Sequence, residues 1–139
     1  EVKSFEHLIC TEQLSRRLGF KVGEELIRVV RVRSLNGSAR QVDHGYFLAS
    51  IAKGLTPEIA ADSIYGYLEH KRGVKVMASR RTVSVELAND EDCSYLDLGK
   101  YNCVAVMESQ SYTSDGILFE VTHARTHPEI FHYRVNSKR

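Results

Sequence analysis

The Asn36-Gly37 dipeptide constrains this chain most, because it is a strong signal for a tight turn between two antiparallel strands. Alternating apolar and polar residues flank it, over residues 27–35 and 39–47. Successive strand residues point to opposite faces, so Arg31 and Arg33 share a face with the apolar residues that precede them. Two guanidinium groups there indicate either the edge of an anion-binding pocket or a solvated surface, and the spacing alone leaves both open.

The composition predicts one soluble domain. The chain has 139 residues, 42% of them hydrophobic and 27% charged, and this balance is ordinary for a globular protein. A net charge of +1 provides no electrostatic footprint for nucleic acid or anionic lipid, and no apolar run is long enough to span a membrane. The three cysteines, Cys10, Cys93 and Cys103, suit neither a disulfide framework nor a zinc site. We therefore expect a cytoplasmic protein without membrane contact, metal or cofactor.

Capping residues and alternating patterns predict the remaining elements. Helices are expected to begin after Thr11, Thr56, Asp62 and Asn89, and strands to cover residues 74–77, 81–87, 103–113, 117–125 and 131–135. The first ten residues show little pattern.

The order of these elements repeats along the chain. Each half contains a helix, a Leu-Gly stop and a strand–turn–strand unit, and the turns at Asn36-Gly37 and Asp115-Gly116 are 79 positions apart. Strands that adjoin in hairpins favour an antiparallel sheet over a parallel, doubly wound one. The sequence thus predicts an α+β fold in which two helix-plus-hairpin halves form one antiparallel sheet with flanking helices.

A second anion-binding candidate is the predicted helix start at Asp62-Ser63-Ile64-Tyr65. Helix N-termini carry unpaired N–H groups and a partial positive charge, and Ser63 and Tyr65 would add hydroxyl donors. In the simpler alternative, Asp62 only caps the helix and Tyr65 packs in the core. Taken together with Arg31 and Arg33, this helix start favours a pocket.

Carboxylates on the two return strands are candidates for binding sugar hydroxyls, because each accepts two hydrogen bonds. They are Asp43 and Glu120, and on an exposed face they would bind nothing specific. Arg125, Thr126 and His127 follow Glu120 within reach of the same cavity, whereas His123, His127 and His132 are expected at a solvated edge. The sequence contains no metal-binding or nucleotide-binding motif and no G-x-S-x-G nucleophile elbow, so no catalytic residue is predicted.

Over nearly its whole length, the chain resembles the UTRA domain, the effector-sensing domain of GntR-type regulators of the HutC subfamily. The matching strings are Arg31-Val32-Arg33 with Asn36-Gly37, Asp43-His44-Gly45-Tyr46, Ser63-Ile64-Tyr65 with Leu68, and the last hairpin up to Glu120. Within that family it is most similar to trehalose operon repressors, through residues 46–47, 55–59, 62–67, 89–92 with 96–98, and 122–125.

The resemblance implies a chorismate-lyase-like fold with a ligand pocket between the halves. It assigns the phosphate of a sugar phosphate to Arg31, Arg33, Ser63 and Tyr65, and the sugar to Asp43, Glu120 and Arg125. Two departures from the wider family favour a disaccharide phosphate. Asp43 replaces a longer glutamate, and Thr126 and His127 occupy the place of a tyrosine.

The function implied by the resemblance is that of a sensor domain in a homodimeric repressor. Trehalose 6-phosphate would bind it, and operator DNA would contact an N-terminal winged-helix domain that lies outside these 139 residues. Residues 1–139 would then be the effector-binding and dimerisation domain. The alternatives are a sensor of another phosphosugar or of a carboxylate, an enzyme of the chorismate-lyase type, and an interaction domain without a small ligand.

Overall fold

Two hairpins form the centre of a single antiparallel sheet in the computed structural model, which describes residues 1–138. The sheet has six strands in the order β1-β2-β3-β6-β5-β4 and is accompanied by four helices. The strands are β1 (Val2–Ile9), β2 (Glu25–Leu35), β3 (Ser38–Leu48), β4 (Val76–Leu87), β5 (Cys103–Thr113) and β6 (Leu118–Thr126). The helices are α1 (Glu12–Leu18), α2 (Pro57–Asp62), α3 (Ile64–His70) and α4 (Asp90–Tyr95).

The hairpin predicted at Asn36-Gly37 is confirmed. Asn36 has φ of 52° and Gly37 has φ of 80°, the positive values that a tight hairpin turn requires and that Asn and Gly tolerate best. The register places Arg31 opposite Asp43 and Arg33 opposite Gln41. The predicted pocket residues on β2 and β3 therefore lie side by side on one face of the sheet.

The predicted repeat is also confirmed, since β1-α1-β2-β3 and β4-α4-β5-β6 form two similar halves of the sheet. Strands β3 and β6 pair at the centre, where His44 lies opposite His123. These two histidines have the same 79-residue spacing as the two turns. The α+β class with one antiparallel sheet is therefore the observed architecture.

The helices cover the two faces of the sheet differently. Helix α4 packs on one face, where its Glu91 contacts His44 of β3. Helix α1 lies on the same face, where its Arg17 donates a hydrogen bond to the Tyr46 hydroxyl of β3. Helices α2 and α3 lie on the opposite face, beside side chains that line a polar cavity. One apolar core forms at the α1 and α3 end of the sheet around Phe20, Phe47 and Phe119, and a smaller one packs Val30, Val32 and Val42 against Leu96 and Leu98.

Several expectations about individual elements are wrong. The pattern-poor residues at the start form β1, which is possible because a strand is stabilised by pairing with its neighbour. The two short strands expected over 74–87 are one continuous strand, β4. Asp62 ends α2, and Ser63 caps α3 instead. Residues 131–135 form no strand. None of the helices within residues 1–138 has the length and apolar character needed to cross a membrane.

Candidate ligand pocket

A polar cavity of about 360 Å³ lies on the face of the sheet that α2 and α3 border. Its size is within the range of small-molecule sites in proteins. Five strands and the α2–α3 junction contribute to its wall, so it extends across both halves of the sheet. The charged and hydroxyl side chains that line it are Arg31, Arg33, Asp43, Asp62, Ser63, Tyr65, Arg81, Ser109, Ser111, Glu120 and Thr122.

Arg31 is held in place by an ion pair with Asp43. The Arg31 Nη2 and Asp43 Oδ2 atoms are 2.8 Å apart, and the two side chains are only 15% and 10% exposed. A second donor, Nη1, is 3.5 Å from the carbonyl oxygen of Ala60 in α2. Because an arginine presents five N–H donors, Arg31 keeps donors for a ligand while its position is fixed.

Arg33 lies two residues further along the same face, and its side chain is exposed. Within residues 1–138 its guanidinium forms no hydrogen bond or ion pair, and its cross-strand neighbour Gln41 instead donates to the Thr126 hydroxyl at 2.9 Å. A free guanidinium beside a fixed one is an arrangement suited to an anion with several oxygen atoms, such as a phosphate.

Ser63 and Tyr65 project from the first turn of α3 toward the cavity. The Ser63 hydroxyl accepts a hydrogen bond from the Gly66 backbone N–H at 3.0 Å, which leaves its own hydrogen available to a ligand. The Tyr65 hydroxyl donates to Glu120 Oε1 at 2.7 Å. Burial, reinforced by the nearby Glu120, raises the pKa of Tyr65 to about 12, so the phenol remains a donor at neutral pH.

Glu120 is the most buried acid in the cavity wall, at 2% exposure. Its Oε1 atom accepts from Tyr65 and from the Ser111 hydroxyl at 3.2 Å. Burial raises the pKa of Glu120 despite these two donors, because a carboxylate loses its hydration there. No described residue donates to Oε2, which remains as an acceptor for a ligand hydroxyl.

Arg81 is a pocket residue that the sequence analysis missed. It lies on β4, opposite Ser109 of β5, with its side chain on the cavity face. Strands β2 and β4 are four positions apart in the sheet, so Arg81 and Arg31 stand on strands roughly 19 Å apart at about 4.8 Å per strand. The cavity therefore has arginine at both ends. The alternation of β4 places Arg81 on the same face as Val83 and Val85, but only the pairing of β4 with β5 brings that face to the cavity.

The structure does not bring Arg125 to this cavity, contrary to our expectation. Arg125 is five residues after Glu120 in the same strand, and an odd separation places two side chains on opposite faces. On the other face its guanidinium bonds Asp92 at 2.9 Å and Glu86 at 3.0 Å. Both partners neutralise it, so Arg125 stabilises the packing of α4 instead of binding a ligand in the cavity.

Two of the three histidines, His123 and His127, differ from the expected solvated edge. His123 is partly buried beside Arg125, with its Nε2 atom 3.3 Å from Glu108, and burial lowers its pKa. His127 is 2% exposed and packs edge-on against Tyr101, while His132 is exposed. No group of three or more His, Cys, Asp or Glu side chains in the described part of the chain is placed to hold a metal ion.

The cavity is lined by equal numbers of basic and acidic side chains, but most of them are not paired with one another. Three arginines face three acids, and one of those acids, Asp43, is already bound to Arg31. Arg33 and Arg81 have no such partner among the described residues, and burial disfavours the charged form of Glu120. Asp62 is exposed at the rim, where water screens it. The arrangement is suited to a ligand with an anionic group and several hydroxyl groups.

Comparison with known proteins places the chain in a family. The model of the UTRA domain matches residues 1–132. The HTH-type transcriptional regulator TreR of Bacillus subtilis strain 168 is 28% identical over 123 residues, which are 88% of this chain and 52% of TreR. The uncharacterized regulator YydK of the same organism is 31% identical over 88 residues, 63% of this chain and 37% of YydK. The chain thus spans about half or less of the length of these relatives.

Solved structures agree with this assignment. The effector binding domain of the B. subtilis trehalose repressor (TreR) has a TM-score of 0.91 at 27% identity, covering 99% of this chain and 96% of that one. The B. subtilis regulator YydK has a TM-score of 0.89 at 25% identity, covering 99% of this chain and 60% of that one. These homologues are transcriptional regulators and not enzymes. The chain therefore belongs to the UTRA domain family, as a homologue of the effector-binding domain of the B. subtilis trehalose repressor.

Proposed function

We propose that this chain is the effector-sensing domain of a GntR-family repressor and that its cavity binds a sugar phosphate. Our leading candidate for the ligand is trehalose 6-phosphate. The observation that carries the phosphate is the pair of Arg31, fixed by Asp43, and Arg33, which has no partner within residues 1–138. The similarity to a protein described as a trehalose repressor supports a trehalose-derived sugar.

In this proposal the phosphate contacts Arg31, Arg33 and the Ser63 hydroxyl, whose hydrogen is not used inside the protein. Arginine forks match phosphate oxygens in pairs, and charge-assisted hydrogen bonds of this kind are about twice as strong as neutral ones. Tyr65 supplies a fourth donor by turning from Glu120 to the phosphate. The exchange releases Glu120 to accept a hydrogen bond from the sugar.

The sugar would be bound by Asp43 and Glu120, each of which has a carboxylate oxygen free of contacts with Tyr65 or Arg31. These two acids lie on neighbouring strands, β3 and β6, and face the same cavity. Carboxylates in a cavity recognise vicinal hydroxyl groups through paired hydrogen bonds. We therefore expect the affinity to depend on both the phosphate and the hydroxyl pattern.

The regulatory part of the proposal concerns the longer protein. We propose a cytoplasmic homodimer in which a separate winged-helix domain binds operator DNA and this chain responds to the ligand. The relatives named as HTH-type regulators are about twice as long as their match to this chain, or more, which supports an additional domain. Control of DNA binding requires that the ligand bind one dimer arrangement more tightly than another.

A thermal-shift panel tests the ligand. Trehalose 6-phosphate at 100 times its Kd should add about 2.7 kcal/mol to the free energy of unfolding and raise Tm, whereas unphosphorylated trehalose should not. A shift with glucose 6-phosphate alone would indicate a different phosphosugar sensor. A shift with a dicarboxylate and none with any sugar phosphate would refute the phosphate assignment. Turnover of chorismate would instead indicate an enzyme.

A further inference from the structure

A row of small side chains crosses the cavity floor from Arg81 toward the centre of the sheet. Arg81 of β4 lies opposite Ser109 of β5, which lies opposite Thr122 of β6, and Thr122 lies opposite Gly45 of β3. Directly opposed residues of neighbouring strands share a face, so the whole row belongs to the face that carries the cavity. Because the side chains in this row are short, the floor contains a trough that ends at Arg81.

The polar groups of this trough have no partners among residues 1–138. Neither the Arg81 guanidinium nor the hydroxyls of Ser109 and Thr122 form a hydrogen bond or an ion pair there, although all three side chains line the cavity. Ser111, two residues along β5 on the same face, instead donates to Glu120. Donors and acceptors that face a cavity without a partner are available to a ligand.

The positive charge of Arg81 acts inside the cavity. Burial and the neighbouring Glu120 raise the pKa of Tyr65, and the charge of Arg81 partly opposes them. Because a Coulomb interaction weakens with distance, this effect agrees with a guanidinium that extends from the edge strand toward the α3 side of the cavity. A ligand that lies along the trough would therefore meet the Arg81 guanidinium at its outer end.

The spacing of the strands determines which ligands can reach Arg81. Arg31 bonds Asp43, so its guanidinium lies over β3, and β4 is three strands away, roughly 14 Å at about 4.8 Å per strand. A hexose ring with two substituents spans four bonds, roughly 6 Å at about 1.5 Å per bond. One ring that begins at the phosphate thus ends near β6, where Glu120 lies, and only a second ring extends along the trough to Arg81.

We propose that Arg81, together with Ser109 and Thr122, binds the second sugar ring of a disaccharide phosphate and selects it over a monosaccharide phosphate. The guanidinium donates to sugar oxygens, and the two hydroxyls both donate and accept, as a hydroxyl-rich ring requires. A second phosphate would need further charged donors, and the trough contributes only hydroxyl groups beside Arg81. This role rests on the proposed function and extends it to the end of the cavity that Arg125 does not reach.

Calorimetric titration with two ligands separates this role from that of the phosphate site. The unsubstituted chain should bind trehalose 6-phosphate more tightly than glucose 6-phosphate, which carries the phosphate and one ring only. Arg81→Ala should weaken trehalose 6-phosphate about tenfold or more, because bonds from a charged donor are lost, and should change the Kd of glucose 6-phosphate less than about twofold. Arg80→Ala is the matched control, since Arg80 is exposed on the other face of the same strand. It should leave both Kd values unchanged.

A steric variant tests the trough without removing a charge. Ser109→Leu places a larger apolar side chain in the floor between β4 and β6, so it should weaken trehalose 6-phosphate and leave glucose 6-phosphate nearly unchanged.

Three results would overturn the assignment. Equal affinity of Arg81→Ala and Arg80→Ala for trehalose 6-phosphate, or an equal loss of both ligands in Arg81→Ala, would refute the second-ring role while leaving a sugar-phosphate site. Failure of the unsubstituted chain to bind any sugar phosphate would refute the proposed function and, with it, the role of Arg81.

Discussion

Replacement of Arg33 by alanine separates ligand binding from folding. Arg33 lines the cavity, its side chain is exposed, and it has no hydrogen-bonding partner among the residues that the structure describes. Its removal leaves no buried group without a partner, so the free energy of unfolding should change by less than about 0.5 kcal/mol. Arg31 is a poorer choice, because its removal strands the nearly buried Asp43 carboxylate and is expected to cost about 3–5 kcal/mol of stability.

The expected loss of affinity follows from the contact that Arg33 would make. A hydrogen bond to a charged group contributes about 1.5–3 kcal/mol, and each 1.4 kcal/mol changes Kd about tenfold. Arg33→Ala should therefore weaken the binding of trehalose 6-phosphate about 10- to 150-fold. Any affinity for unphosphorylated trehalose should be unchanged, because the sugar contacts Asp43 and Glu120 instead.

Isothermal titration calorimetry measures the Kd of the unsubstituted chain, of Arg33→Ala and of a control variant. Arg80→Ala is the matched control, because Arg80 is an exposed strand arginine whose side chain does not line the cavity. It should bind trehalose 6-phosphate with the affinity of the unsubstituted chain. Equal Kd values for Arg33→Ala and Arg80→Ala, with both proteins folded, would refute the assignment of the phosphate to Arg33.

Three further predictions concern the sheet and its other face. Arg125→Ala should lower the free energy of unfolding in urea by about 3–5 kcal/mol, because Asp92 is fully buried and loses its ion pair. Burial lowers the pKa of His123, so the unfolded chain binds the proton more readily than the folded chain does. The free energy of unfolding, measured through urea midpoints, should therefore rise with pH from about 5.5 to 7.5. The His123→Gln variant should show a smaller rise. Gly45→Ala should cost about 1–3 kcal/mol, measured as a lower Tm, because its Cβ would lie 2.7 Å from the buried Phe47 ring.

Local signals predicted much of the fold. The turn at Asn36-Gly37 needs positive φ values that few residues tolerate, and the caps at Thr11, Thr56 and Asn89 satisfy backbone N–H groups within one turn of a helix. Such features depend on neighbours in the sequence, so they can be identified from residue types. The repeat then determined which hairpins form the two halves of the sheet.

Strand β1 and the continuity of β4 were harder to predict from the sequence, because an edge strand is stabilised by its partner strand and not by its own pattern. The expected strands 74–77 and 81–87 left out residues 78–80, where the apolar alternation of β4 is interrupted. Arg81 was inside the second of these strands, but its position there did not show that it lines a cavity. A register between distant strands has no local signal, and Arg81 reaches the cavity only because β4 pairs with β5.

The two-residue period of a strand explains which side chains of the candidate site could be placed from the sequence. The placement agrees with the structure where that period was applied and differs from it where the period was not applied. Arg31 and Arg33 are two residues apart and share a face, and Asp43 is placed opposite Arg31 by the hairpin register. The separation of Glu120 and Arg125 is odd, which assigns Arg125 to the other face of the sheet. Strict use of the two-residue period would have excluded Arg125 from the cavity without a structure.

A crystal structure of the chain with trehalose 6-phosphate would show where the phosphate binds. We expect the phosphate within hydrogen-bonding distance of Arg31, Arg33 and the Ser63 hydroxyl, with the Tyr65 hydroxyl turned away from Glu120 and sugar hydroxyls at Asp43 and Glu120. A phosphate bound at the Arg81 end of the cavity, or on the opposite face beside Arg125, would contradict this expectation.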